Sequence, residues 1–300
     1  MTQIAAHALA AVAVACLVAY VVSGFLTAGT VREGGPSSQH WPVGSQSDPT
    51  LAELVSRTAA YVASGFSRTV AAQQQQPPAP SPRAQAPVDL TGYWVSIVTE
   101  DWRWRMVTPP KGDYSSLPLT PAARKAADAW DPARDAAAGE ACRAYGAAAV
   151  MRVPGRIRVS WENDTTLRVD TESGTQTRLF KFGAGVTPVP AGAPSWQGLS
   201  VAQWQIVGGR RGAPPAGGSL RVVTTGMRPG YLRKNGVPYG ANAVVTEYYN
   251  RTNEPNGDSW LIVTTVVEDP VNLTARFVTS SHFKKAPDGS IWNPTPCEAS

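Results

Sequence analysis

The sequence predicts an all-β fold in which about eight or nine strands form a closed antiparallel barrel. Three observations carry this prediction. Short segments alternate apolar and polar residues with the period of two that is typical of strands. Turn signals separate these segments in hairpin order. Proline and glycine are abundant, with 26 and 27 copies among 300 residues, which disfavours long helices. A barrel leaves no exposed sheet edge, and a β-sandwich is the alternative arrangement.

The N-terminal part of the chain has a different composition. Residues 4–28 contain no Lys, Arg, Asp or Glu and have about the length of a membrane-spanning helix. We therefore predict a signal or transmembrane helix over residues 1–30 and a disordered low-complexity linker over residues 31–87, which ends in a run rich in Gln and Pro. The barrel domain then covers residues 88–300 and is periplasmic or extracellular. An uncleaved helix would anchor it to the membrane.

The first half of the domain contains four strand predictions, three of which form a meander. Ile157, Val159 and Trp161 share one face of a segment that an ENDT turn joins to the next strand. Phe180 and Phe182 are in phase on the strand after that. The predicted strands of this half are residues 92–99, 156–161, 166–171 and 175–182.

The second half of the domain continues the pattern. An Asn-Gly pair at residues 256–257, the strongest short hairpin signal, joins two of its strands. The predicted strands are residues 202–207, 219–227, 243–251, 259–268 and 276–285.

Residues 120–145 are the exception to the β pattern. They are rich in alanine and start with Thr-Pro, which suits the N-cap and first turn of a helix. Pro132 interrupts the segment, so we expect one or two short helices that pack on the barrel.

Charge and cysteine usage exclude some classes of function. The formal net charge is +5, and the basic residues are scattered instead of forming the stripe that nucleic-acid binding needs. The domain has one histidine and no CxxC pair, so we expect no metal and no cofactor. In an exported domain Cys142 and Cys297 could form a disulfide worth roughly 4–5 kcal/mol. Two buried free thiols are the alternative.

The start of the domain, LTGYW at residues 90–94, resembles the Gly-x-Trp opening of lipocalins, in which the Trp closes the base of the barrel. Longer segments resemble a family of exported bacterial proteins of unassigned function with a lipocalin-like β-barrel. These segments are WRMVTPPKGDY, ADAWDP, SWQG, YLRKNGVPY, VVEDP and TSSHFKKAPDGSIWNPTPC, between residues 104 and 297. The resemblance implies a lipocalin-like fold and export, and it implies no reaction.

Three residues are candidates for acid–base catalysis: Glu100, Glu247 and His282. If Trp94 faces the interior, a period of two also turns Glu100 inward, beside two tryptophans, where desolvation suits a carboxylate to proton transfer. A solvated position on the barrel rim is the alternative for Glu100. His282 is the only histidine of the domain, and a structural hydrogen-bonding role is its alternative.

Aromatic and cationic residues suggest how a ligand could be held. Residues 228–240 combine two aromatics and three cations with Pro and Gly, a composition that suits a loop that gates a barrel mouth. There Arg233 could pair with a ligand carboxylate. A long structural turn with solvated cations is the alternative. The candidate ligand-binding residues are Trp102, Trp104, Trp196, Tyr231, Arg233 and Tyr248.

The sequence therefore leaves three functions open. The first is an exported barrel that binds a small hydrophobic or amphipathic molecule in its interior. The second is a cofactor-independent isomerase, hydratase or lyase that uses an interior carboxylate with His282 or a tyrosine. The third is a structural envelope protein.

Overall fold

The computed structural model describes residues 79–183, 192–208 and 217–299. All of them lie in the compact unit Pro77–Ser300. The N-terminal helix predicted for residues 1–30 and most of the predicted linker lie outside the described residues. Residues 79–87, which the sequence assigns to the linker, pack on the barrel: the indole of Trp204 donates a hydrogen bond to the carbonyl of Pro82 at 2.8 Å.

The described residues form a closed barrel of nine strands, which confirms the predicted all-β barrel. The sandwich alternative is wrong because the first strand pairs with the second and with the last. The barrel strands are β1 (Gly92–Ile97), β2 (Arg156–Asn163), β3 (Thr166–Thr171), β4 (Thr177–Lys181), β5 (Leu199–Val207), β6 (Gly217–Thr225), β9 (Val244–Asn253), β10 (Ser259–Glu268) and β11 (Phe277–Lys285).

The spatial order of the strands is β1-β11-β10-β9-β6-β5-β4-β3-β2. The prediction of a wholly antiparallel barrel is wrong at one point, because β4 and β5 pair in parallel, with Phe180 opposite Ser200. Parallel neighbours need a crossover connection rather than a hairpin. Here the connection runs from residue 182 to residue 198, and residues 184–191 of it lie outside the described residues.

The barrel interior is filled by large apolar side chains. Alternate residues of each strand point inward, so the in-phase pairs Ile157 with Val159 and Phe180 with Phe182 enter one hydrophobic cluster. Trp94 is fully buried in this cluster, and its indole donates to the carbonyl of Leu90 at 3.0 Å. Neither Trp94 nor Phe180 lines any of four prominent cavities among the described residues.

One end of the barrel carries a cap, which we define as residues 98–155 and 226–243. Its helices are α1 (Trp102–Arg105), α2 (Pro121–Asp128), α3 (Pro132–Ala137) and two short 3-10 helices, Ala141–Tyr145 and Val150–Arg152. Thr120 caps α2 by accepting from the amide of Ala123, and Asp131 caps α3, so the segment predicted to hold one or two short helices contains two.

The cap also contains a hairpin that the sequence predicts as a loop. Residues 228–240 form strands β7 (Gly230–Arg233) and β8 (Val237–Tyr239), which pair only with each other. A second hydrophobic cluster joins this hairpin to the barrel mouth. It includes Leu232 and Val237 of the hairpin and Val245, Val267 and Phe277 of the strand ends.

Candidate ligand-binding site

The sequence predicts that Glu100 turns inward on the face of Trp94, beside two tryptophans, and this prediction is wrong. Strand β1 ends at Ile97, and Asp101 adopts a left-handed backbone with φ of 52° before α1 begins. Glu100, Trp102 and Trp104 therefore do not share one face. The side chains of α1 diverge: Trp102 is 65% exposed, whereas Trp104 points into the cap.

Arg105 anchors α1 to the barrel mouth. Its side chain is buried, its Nε donates to the carbonyl of Arg152 at 2.9 Å, and it forms an ion pair with Glu100. Glu100 is thus held at the rim by a cation that the sequence did not single out. Its carboxylate is partly exposed, which fits the rim position and not an interior one.

Between α1, the hairpin and the C-terminal segment lies a cavity of about 300 Å³, which we call the cap cavity. Its apolar walls come from Trp104, Tyr145, Val153 and Leu232. This volume is at the lower end of the range for small-molecule sites. Trp102 lines a neighbouring groove and not the cap cavity, so the two tryptophans do not enclose one ligand space.

Four cations line the cap cavity: Arg105, Arg152, Arg233 and Lys234. Arg105 is paired with Glu100, and Arg152 donates to Asp101 at 3.0 Å. Lys234 lies 3.9 Å from the carboxylate of Glu298, which is largely exposed. The fourth cation, Arg233, is different.

Arg233 is 4% exposed, and among the described residues none of its three guanidinium nitrogens has a hydrogen-bond partner. Its guanidinium carbon lies 4.9 Å from the ring centroid of Trp104. Burial, and then the positive charge of Arg152, lower the pKa of Arg233 to about 10, so it stays charged at neutral pH. A buried, charged and unpaired guanidinium is destabilising unless an anion satisfies it.

The remaining aromatic candidates lie elsewhere. The hydroxyl of Tyr231 donates to Asp135 at 2.7 Å beside a second, smaller cavity of about 230 Å³. Burial and this hydrogen bond raise the pKa of Tyr231, which keeps the phenol protonated. Trp196 stacks against Arg228, whose guanidinium carbon lies 4.1 Å from the centroid of the indole ring. Tyr248 is half-buried on the face of β9 opposite to Glu247, outside the barrel.

Glu247 does face the barrel interior, where it is bound by a residue that the sequence analysis missed. Arg178 donates to both carboxylate oxygens of Glu247, at 2.8 and 2.6 Å, and both side chains are fully buried. The same two nitrogens also donate to Tyr249 and Thr224, whereas Nε of Arg178 has no hydrogen-bond partner among the described residues. Arg178 is in phase with Phe180 and Phe182, and this period was the signal that could have identified it as an interior cation.

Glu100 and His282 are brought together at the barrel rim. The carboxylate of Glu100 lies 3.3 Å from Nδ1 of His282, and the hydroxyl of Ser280 lies 3.0 Å from Nε2. His282 pairs with Ile97 on the outer face of the sheet, so this cluster opens to solvent and not to the barrel interior.

Cys142 and Cys297 form a disulfide. The bond joins the 3-10 helix Ala141–Tyr145 of the cap to the C-terminal segment, whose residues Thr295, Pro296 and Glu298 line the cap cavity. One wall of the cavity is therefore held in place covalently.

Within the described residues, no group of three or more His, Cys, Asp and Glu side chains is arranged to hold a metal ion. The same part of the chain contains no helix that is long and apolar enough to cross a membrane. No protein-family profile, curated protein or solved structure matches the chain. The resemblance to exported lipocalin-like proteins stays a prediction.

Proposed function

We propose that the protein is an exported, lipocalin-like barrel that binds a small amphipathic anion in the cap cavity. The observation that carries the proposal is Arg233, a buried guanidinium with no hydrogen-bond partner in the described part of the chain. A carboxylate or phosphate accepts two parallel hydrogen bonds from such a group. The ligand would restore the interactions that Arg233 lacks.

The walls of the cavity indicate the rest of the ligand. Trp104, Tyr145 and Leu232 offer apolar surface next to the cation, which suits a short hydrocarbon or aromatic body. Arg152 adds a second positive charge, and one of its nitrogens, Nη2, also lacks a hydrogen-bond partner. The proposed site lies at the capped mouth because the interior is occupied by apolar side chains and by the Arg178–Glu247 pair.

The test compares anionic and neutral amphiphiles of one chain length. We expect octyl phosphate and octanoate to raise the melting temperature of the full chain, and 1-octanol to leave it unchanged, because only an anion pairs with Arg233. Arg233→Met should abolish the increase, whereas Arg276→Met, at a side chain 71% exposed, should retain it. Equal responses to octanol and octyl phosphate, or a full response in Arg233→Met, would refute the proposal.

A second candidate function is proton transfer by Glu100 and His282. It is favoured by the 3.3 Å contact between them, which would let the carboxylate orient the imidazole. The test follows whatever small molecule copurifies with the chain, by mass spectrometry over time. Conversion by the wild type but not by Glu100→Gln would favour an enzyme, and an unchanged molecule would favour a carrier. A chain that neither binds nor converts amphiphiles would fit the structural envelope function.

A further inference from the structure

The segment that forms the outer wall of the cap cavity also carries an exposed apolar surface. Trp102, Met106 and Val107 are 65%, 59% and 70% exposed. Trp102 and Met106 are four residues apart at the two ends of α1, which places them on one side of the helix. Together with Pro109 and Pro110 they border a groove of about 290 Å³. We call residues 102–110 the lip.

The fold holds the lip outward. Arg105, the last residue of α1, is fixed to the barrel mouth by its bonds to the Arg152 carbonyl and to Glu100. The helix therefore cannot turn to bury Trp102 and Met106 without breaking a buried, charged hydrogen-bond network. Met106 and Val107 line the cap cavity as well as the groove, so the exposed surface and the ligand space share one wall.

The charges around the lip indicate what it contacts. Arg103 is 70% exposed and Lys111 is exposed, whereas the nearby Asp113 is 14% exposed and engaged by Arg103 and by the indole of Trp104. An apolar surface with a tryptophan, flanked by outward cations, matches the boundary of a bilayer that contains anionic lipids.

We infer that the lip docks on an anionic lipid surface, from which the cap cavity takes up an amphipathic anion. This inference rests on the proposed function for the identity of the ligand. The docking itself rests on the exposed residues of the lip. An experiment can therefore refute docking of the lip without refuting anion binding in the cap cavity, and the reverse.

The experiment uses the full chain reconstituted in vesicles of phosphatidylcholine and phosphatidylglycerol at about 7:3, and in vesicles of phosphatidylcholine alone. An environment-sensitive fluorophore is attached to Met106→Cys, in a Cys16→Ser background that keeps the disulfide. The matched control is Ile206→Cys, an exposed residue at the far end of β5. Brominated lipids then report the proximity of each label to the hydrocarbon.

We expect a blue-shifted emission and about twofold or more stronger bromolipid quenching at residue 106 than at residue 206, in the anionic vesicles only. Equal quenching at the two sites, or at residue 106 in both kinds of vesicle, would overturn the inference. Self-quenching of the label that increases with the number of protein molecules per vesicle would show that the lip contacts a second copy of the chain. This result would also overturn the inference. Arg233→Met should dock normally while losing its response to octyl phosphate, which separates docking from ligand binding.

Discussion

The guanidinium of Arg233 lies against Trp104 with no hydrogen-bond partner among the described residues, and the nearby Arg152 adds repulsion. Groups that destabilise the fold in this way persist at binding sites, where the ligand compensates for them. This gives Arg233 a signature that a structural arginine lacks. Removal of the Arg233 guanidinium should therefore stabilise the ligand-free protein.

We expect Arg233→Met to raise the free energy of unfolding of the ligand-free chain by about 1–3 kcal/mol, because it removes unsatisfied buried donors but keeps the stem. Urea denaturation at neutral pH measures this change. Arg276→Met, at an exposed ion pair, should change stability by less than about 0.5 kcal/mol. A marked loss of stability in Arg233→Met would mean that this guanidinium has partners and is structural.

At the scale of the elements, β2, β3 and β4 share a polar network on their outer faces. Asp170 accepts hydrogen bonds from Arg158 at 2.8 Å, Arg168 at 2.9 Å and Thr177 at 2.7 Å. Burial alone would raise the pKa of Asp170, but the hydrogen bonds, led by that of Arg168, outweigh it and lower the pKa below 3.8. Folding therefore favours the ionised form of Asp170.

Asp170→Asn should lower the free energy of unfolding by roughly 2 kcal/mol at neutral pH. A carboxyl group with a lowered pKa stabilises the fold above its unfolded value of 3.8, and this stabilisation is lost as the pH falls through the folded pKa. The variant should therefore lose less stability than the wild type between neutral and acid pH. Denaturation at several pH values measures this, with the exposed Asp164→Asn as the control. Parallel pH profiles would contradict the assignment.

The elements also show where sequence patterns succeed. Strands such as β2 and β4 could be predicted because one face meets the core and the other meets solvent. Apolar and polar residues therefore alternate along these strands. Alternation misleads in WRWR, because these four residues form one helical turn, in which Trp102 and Trp104 point in different directions. The helix is held by a hydrogen bond from Arg105 to the carbonyl of Arg152, which lies 47 residues further along the chain, so the local pattern does not reveal it.

The candidate site is predictable to a similar extent. Arg233 could be identified from the cations and aromatics of residues 228–240. Its lack of partners could not, because that depends on how the hairpin packs under α1. The pairing of Glu247 with Arg178 depends on the barrel register, which places two residues that are 69 apart in sequence on facing positions.

At the scale of the whole molecule, the disulfide connects two parts of the cap cavity. Replacing Cys142 and Cys297 by Ser should lower the free energy of unfolding by about 5 kcal/mol in the chain-entropy model, since the bond closes a loop with a sequence separation of 155. The melting response to octyl phosphate should also weaken, because the segment with Thr295 and Pro296 is no longer held at the cavity. Cys16→Ser is the control. An undiminished response would show that this wall is dispensable for binding.

Closure of the barrel has a consequence for how the protein is made. Trp94 of β1 pairs with Ile157 of β2 on one side and with Lys285 of β11 on the other. Because the chain is synthesised from its N-terminus, one edge of β1 stays unpaired until β11 has emerged. An open edge can pair with other chains, and long-range strand pairing is slow. The interval between the emergence of β1 and that of β11 is thus when this protein is most exposed to aggregation and to proteases.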